Sequence, residues 1–125
     1  MSTAPTVLLG LVPLIRAVVR SETTDTATTV TADDSGTLFV NLGTSKHTYT
    51  LPTLALGKGK SWVFYNADGT AAIAIVSGTA SKLKTSDTAV TTVTETNHEV
   101  GGCMLVICDG TWFYCLEIYG TWTGS

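Results

Sequence analysis

Charged residues are scarce in this chain. Asp, Glu, Lys and Arg make up 14% of its 125 residues, and the net charge is −3. Non-specific nucleic-acid binding needs a basic face to neutralise phosphates, and this balance argues against one. Three cysteines are too few for a disulfide framework. His47 and His98 are the only histidines, whereas a zinc site wants several Cys or His ligands at close spacing. A calcium loop of the Asp-x-Asp-x-Asp-Gly type is missing too. Long apolar runs are absent. The stretch 6–19 is shorter than the about 20 residues a membrane span needs, and Pro13 and Arg16 interrupt it. No basic residue precedes that stretch and no small-residue cleavage site follows it, which argues against a secretory signal.

What the chain has in quantity is threonine, its commonest residue. Thr, Val, Ile, Tyr, Phe and Trp suit pleated, half-buried surfaces. Residues 1–21 read as an apolar arm whose Gly10 and Pro13 break any helix pattern, and residues 22–29 read as a polar linker. From Val30 onward, short β-rich runs alternate with turns. Asp33-Asp34-Ser35-Gly36 and Gly43 to Lys46 are turns. Leu38, Val40 and Leu42 share one face of a strand, and Pro52 ends the next strand. Ser61 to Tyr65 is a strong strand, Ile73 and Ile75 point inward from another, and 82–84 and 89–95 are weaker ones. Turn signals recur about every 8–12 residues, which indicates a sandwich or barrel. The expected fold is all-β: a single-domain, jelly-roll-like antiparallel β-sandwich or barrel of about eight or nine short strands. The expected division is an arm and linker over 1–29 and a β domain over 30–125.

The clearest local signal is the run 103–119. Asp109-Gly110 between two β-rich stretches predicts a hairpin with a two-residue type I′ turn. That register pairs Cys108 with Thr111, Ile107 with Trp112, Val106 with Phe113, Leu105 with Tyr114 and Met104 with Cys115. One face then carries Cys103, Leu105, Ile107, Trp112, Tyr114 and Leu116. The other carries Met104, Val106, Cys108, Phe113 and Cys115. Both faces are largely apolar, so both should be covered, one by the domain core and the other by a second sheet or a neighbouring subunit. The three cysteines read as small buried hydrophobes, which fits folding in a reducing cytoplasm.

No motif carries chemistry. Gly57-Lys58-Gly59-Lys60-Ser61 imitates a phosphate-binding loop, but position 54 is Leu and Trp62 to Tyr65 continues as a strand where a helix would be needed. Asp33, Asp34, Asp68 and Asp109 all sit at turns, where local bonding explains them. Trp62, Phe64, Trp112 and Tyr114 read as core. Trp122 lies near the C-terminus, where chains fray, so something must hold it: a dock within the chain first, a partner second. The sequence therefore predicts no catalytic residues, no metal and no cofactor.

The order Ala32-Asp33-Asp34-Ser35-Gly36-Thr37-x-Phe39, Tyr49-Thr50-Leu51-Pro52, Trp62 to Asp68, Ala72-Ile73-x-Ile75, Asp109-Gly110-Thr111-Trp112-Phe113-Tyr114 and Gly120-Thr121-Trp122 resembles small virion proteins of tailed bacteriophages. These are capsid decoration (head cement) proteins and β modules of head or tail fibres. The resemblance spans about residues 30–123 and implies a non-catalytic, commonly trimeric β domain seated on the virion exterior after assembly in the host cytoplasm. The major capsid protein is the implied partner, with neither nucleic acid nor membrane involved. On that reading the arm, with Leu8, Leu9, Leu11, Leu14, Ile15, Arg16, Val18 and Arg20, would bind the capsid or a neighbouring subunit, unless it is simply the domain's own first strand. Met104, Val106, Phe113, Tyr119 and Trp122 are the candidates for a subunit interface. A receptor- or glycan-binding fibre module is the alternative role.

Overall fold

Short β-rich runs, each cut by a turn, send this chain back and forth between two sheets. The computed structural model describes residues 18–85, 88–96 and 100–125. The strands are β1 (Val18–Glu22), β2 (Ala27–Thr29), β3 (Thr37–Asn41), β4 (His47–Thr50), β5 (Ser61–Asn66) and β6 (Ile73–Val76). They continue as β7 (Leu83–Lys84), β8 (Ala89–Val90), β9 (Thr92–Glu95), β10 (Gly102–Cys108), β11 (Phe113–Tyr119) and β12 (Trp122–Gly124). One four-residue helix, α1 (Leu54–Gly57), is capped by the Thr53 hydroxyl, which accepts the Leu56 N–H. A seven-stranded sheet in the order β1-β3-β5-β10-β11-β7-β8 packs on a five-stranded sheet in the order β12-β9-β6-β4-β2.

The sandwich is as the sequence predicts, but its ladders are mixed. The first six strands alternate between the sheets, so each crossing returns the chain in the direction it had before. The ladders β1–β3, β3–β5, β2–β4 and β4–β6 are consequently parallel. Antiparallel pairing begins where the chain reverses, at β5–β10–β11 and at β6–β9–β12. The β domain also begins before residue 30. Residues 18–29, expected as arm and linker, contribute β1 to one sheet and β2 to the other. These two strands, the separation of β8 from β9, and β12 raise the strand number above the expected eight or nine.

Aromatic side chains fill the space between the sheets. Phe39 of β3 stacks on Phe64 of β5 at 5.4 Å between ring centroids. Tyr49, from the opposite sheet, tilts against both rings at 5.5 and 5.0 Å. All three are 0% exposed, as are Ile73, Ile75, Met104, Val106 and Phe113. Trp62 packs on Phe113 and donates its indole N–H to Thr31 O at 3.2 Å. Where the strands leave the sheet, side-chain amides replace water. Asn41 donates to Asn66, Asn66 donates to Ala71 O, and Asn41 in turn accepts the Gly43 N–H. Buried amides of this kind keep the crossing corners satisfied.

His47 ties the third crossing, from β3 to β4, to the first, from β1 to β2. It is fully buried, with Nδ1 at 2.7 Å from Asp25 O and Nε2 at 2.7 Å from the Thr28 hydroxyl. The carbonyl can only accept, so Nδ1 carries the proton and the neutral ring accepts from Thr28. Burial lowers its pKa from the ordinary 6.5. The unfolded chain therefore binds a proton at a pH where the folded one does not. Stability from this ring should be complete above about pH 6.5 and fall as the pH drops below it. Urea unfolding midpoints between pH 7.5 and 5.5 should show that fall, and the slope should flatten in His47→Gln. In the aromatic cluster, Phe64→Ala should lower the unfolding free energy by about 3–5 kcal/mol in the same assay.

Candidate interaction surface

The hairpin β10–β11 decides which side chains face outward. Its observed register pairs Cys108 with Phe113, Ile107 with Tyr114, Val106 with Cys115, Leu105 with Leu116 and Met104 with Glu117. The loop is therefore Asp109-Gly110-Thr111-Trp112, four residues rather than two. The reason is the Asp109 side chain. Its Oδ1 accepts the Thr111 and Trp112 N–H groups at 2.8 Å each, and its Oδ2 accepts the Tyr114 hydroxyl at 2.9 Å. Gly110 has φ 91° but Asp109 stays at negative φ, so the type I′ turn does not form. Those three donors, the Trp112 N–H first, also hold the Asp109 carboxyl below its usual range. The shift moves every pairing by two residues, and two is the side-chain period of a strand, so the faces stay as the sequence predicts.

The face holding Met104, Val106, Cys108 and Phe113 is the core. Met104, Val106 and Phe113 are thus removed as subunit-interface candidates, because the second sheet already covers them completely. Trp122 is removed as well. It docks within the chain at 8% exposure and donates its indole N–H to Tyr119 O at 2.9 Å. Of that set only Tyr119 is exposed, at 57%. Trp62 and Phe64 are core as expected, whereas Trp112 and Tyr114 are not. Tyr114 shares a strand face with Leu116, opposite Phe113, and Trp112 stands in the loop just before β11.

The outer face of the seven-stranded sheet is apolar. Register places Val19, Leu38, Val63, Leu105 and Leu116 side by side across five strands. At the usual strand spacing this row is about 19 Å long. The next row is Ser21, Val40, Tyr65, Cys103 and Tyr119. Neither row contains a charged residue. Leu38 and Val40, which share a strand face in the sequence pattern, face outward here, and Phe39 between them enters the core. A bulge near Cys103 and Met104 leaves Ile118 without a partner in β10 and brings Tyr119 opposite Cys103. Val19, Leu116, Ile118 and Tyr119 are 58, 48, 60 and 57% exposed. Sheets with one solvated face are usually polar there, and contiguous exposed apolar patches mark interaction sites.

The predicted arm divides. Leu8, Leu9, Leu11, Leu14, Ile15 and Arg16 lie outside the described residues. Val18 opens β1 and is exposed. Arg20 is engaged within the domain: it lies over the Phe39 ring at 5.2 Å and pairs with Glu22 at 3.6 Å and Asp34 at 3.5 Å. It is therefore not a free cation for a partner's acids.

Chemistry is sparse across the described surface. All three thiols are free. Burial raises each thiol pKa, that of Cys115 to about 12, so they stay protonated and weakly nucleophilic at neutral pH. No group of three potential metal ligands occurs among the described residues. Among them, too, no helix is long and apolar enough to cross a membrane. No protein-family model matches this chain, and neither a curated protein nor a solved structure does. What the outer face does must be read from its own chemistry.

The two faces of β10–β11 should respond oppositely to charge. Leu116→Asp should change the unfolding free energy by about 0.5 kcal/mol or less and reduce binding of an apolar-surface dye. Val106→Asp, one strand position from the row but aimed into the core, should cost about 4 kcal/mol or more. Denaturant unfolding of the two variants side by side measures both.

Proposed function

We propose that this chain is a structural, non-catalytic protein of a tailed-phage particle, which decorates the assembled shell as an oligomer and stabilises it. The observation that carries this reading is the uncharged aliphatic row on the outer face of the seven-stranded sheet. That face is open at its two ends, Val19 and Leu116, with Val63 between them only 5% exposed, and an open apolar face has a use in assembly. The ordered motifs from Ala32 to Trp122 support the same class. In this reading the outer face of each protomer meets a neighbouring copy, and closed threefold symmetry prevents open-ended growth. Residues 1–17 reach the shell formed by the major capsid protein. Binding the assembled shell and not its dissociated subunits is itself stabilising.

A second reading has one observation in its favour. Trp112 stands in the hairpin loop with Tyr114 exposed beside it, as an aromatic platform for a glycan or receptor would. The faces of Trp112 are approached by two lysines, however, which leaves less ring for a sugar.

Co-sedimentation with empty, assembled phage shells tests the first reading. The full chain should bind saturably at a fixed ratio to shell subunits and raise the shell's melting temperature. A chain lacking residues 1–17 should lose shell binding but keep its oligomeric state in sedimentation equilibrium. Leu105→Asp with Leu116→Asp should lose the oligomer. No binding of the full chain to shells would sink the decoration reading and favour the glycan-binding one.

A further inference from the structure

On one side β11 pairs with β10 from Phe113 to Tyr119, apart from the bulged Ile118. On its other side β7 meets just Phe113 and Tyr114. β7 ends at Lys84, and the Thr85 N–H bonds Thr88 O, turning the chain away into β8. Past Tyr114 no described strand lies on that side. The Phe113 N–H points there, to Lys82 O. Strand alternation aims the Glu117 N–H and C=O the same way, where no described strand meets them. A groove of about 370 Å³ follows this edge, lined by Lys84, Thr85, Tyr114, Cys115, Leu116 and Glu117.

One end of the groove is cationic. The Lys82 and Lys84 ammonium groups lie 4.6 and 4.7 Å from the centroid of one indole ring, that of Trp112. Both lysines are half-buried. Neither forms an ion pair among the described residues. The ring attracts each ammonium, and with no ion pair to either lysine among the described residues their two positive charges remain available to an incoming anion. The other end carries the Glu117 carboxylate, which repels acids.

We propose that this edge binds an extended polypeptide segment, which adds to β11 as a further strand and places acidic side chains beside Lys82 and Lys84. Main-chain hydrogen bonds to the open part of β11 supply attraction, alternate apolar side chains pack on Leu116, and the lysines fix direction. The acidic requirement argues against the chain's own N-terminal segment as occupant, because residues 1–17 contain no Asp or Glu. The site goes beyond the shell-binding reading and does not depend on it.

The test is a display library of random nine-residue peptides screened against the full chain, with the enriched peptides then synthesised and titrated by fluorescence anisotropy. The expected sequences alternate β-formers and carry Asp or Glu at one end only. Affinity should fall about tenfold or more in Glu117→Pro, which removes the N–H facing the edge where a proline is tolerated. It should fall severalfold in Lys82→Gln with Lys84→Gln and with added salt. Enriched peptides methylated on alternate backbone nitrogens should not bind, a check that holds even if Glu117→Pro unfolds the domain. The proposal is overturned if no peptide is enriched, or if the enriched ones lack acids. It is equally overturned if binding ignores both protein variants and backbone methylation. A synthetic peptide of residues 1–17 that binds the edge as tightly as the acidic peptides would also overturn it, by making a second copy of the chain the occupant.

Discussion

The contact of Phe39 and Phe64 with Tyr49 is the constraint on which the rest of the sandwich rests. The first two rings belong to neighbouring strands of one sheet and the third to the opposite sheet. The chain crosses between the sheets at nearly every turn, so no single hairpin can hold the two layers together. What fixes their separation and offset is a set of large rings that fit only when β3, β4 and β5 stand in register. The buried Asn41–Asn66 contact and the His47 ring serve the same end at the crossings. They satisfy polar groups that the crossings would otherwise bury unpaired. The parallel ladders follow from this alternation and not from any preference of the residues in them.

Filling the interior with Phe39, Trp62, Phe64, Met104 and Val106 has a consequence outside. In each of those strands the residues between the core positions must face outward, and here they too are apolar. Val19, Leu38, Val63, Leu105 and Leu116 belong to five strands, three of them distant in sequence, and lie in one line only because the sheet brings them there. The proposed assembly role rests on that line. It also explains how a chain so poor in charge can have an interior that is complete without its outer face. The second sheet covers one side, and the other faces outward.

The hairpin loop gathers polar contacts at one end of the seven-stranded sheet. Asp109 organises four residues around its carboxylate, and that loop sets Trp112 beneath Lys82 and Lys84. Because β7 is only two residues long, the cationic end of the sheet adjoins an open strand edge. An edge left open invites unwanted pairing, and the lysines restrict what can pair with it. Selection by charge on a β edge and broad apolar contact on the adjoining face are different kinds of recognition.

Local chemistry determined a good deal of this protein. β-branched and aromatic runs between Gly, Asp and Ser turns made the all-β class legible, and the two-residue period of a strand sorted β10 and β11 into two faces correctly. That sorting survived an error in the turn, because a shift of two preserves the face. What the sequence could not decide was which apolar face is the core. Leu38 and Val40 share a face whose direction the pattern leaves open, and Met104, Val106 and Phe113 look as free as Leu105 and Leu116, since hydrophobicity is nearly equal on both sides. Nor could it show the parallel ladders, the place of β1 and β2 in the sheets, or the meeting of two lysines with Trp112. Each depends on which distant strands become neighbours. That choice was made by the packing of the two layers around the aromatic rings, an interaction between residues too far apart along the chain for any local pattern to record.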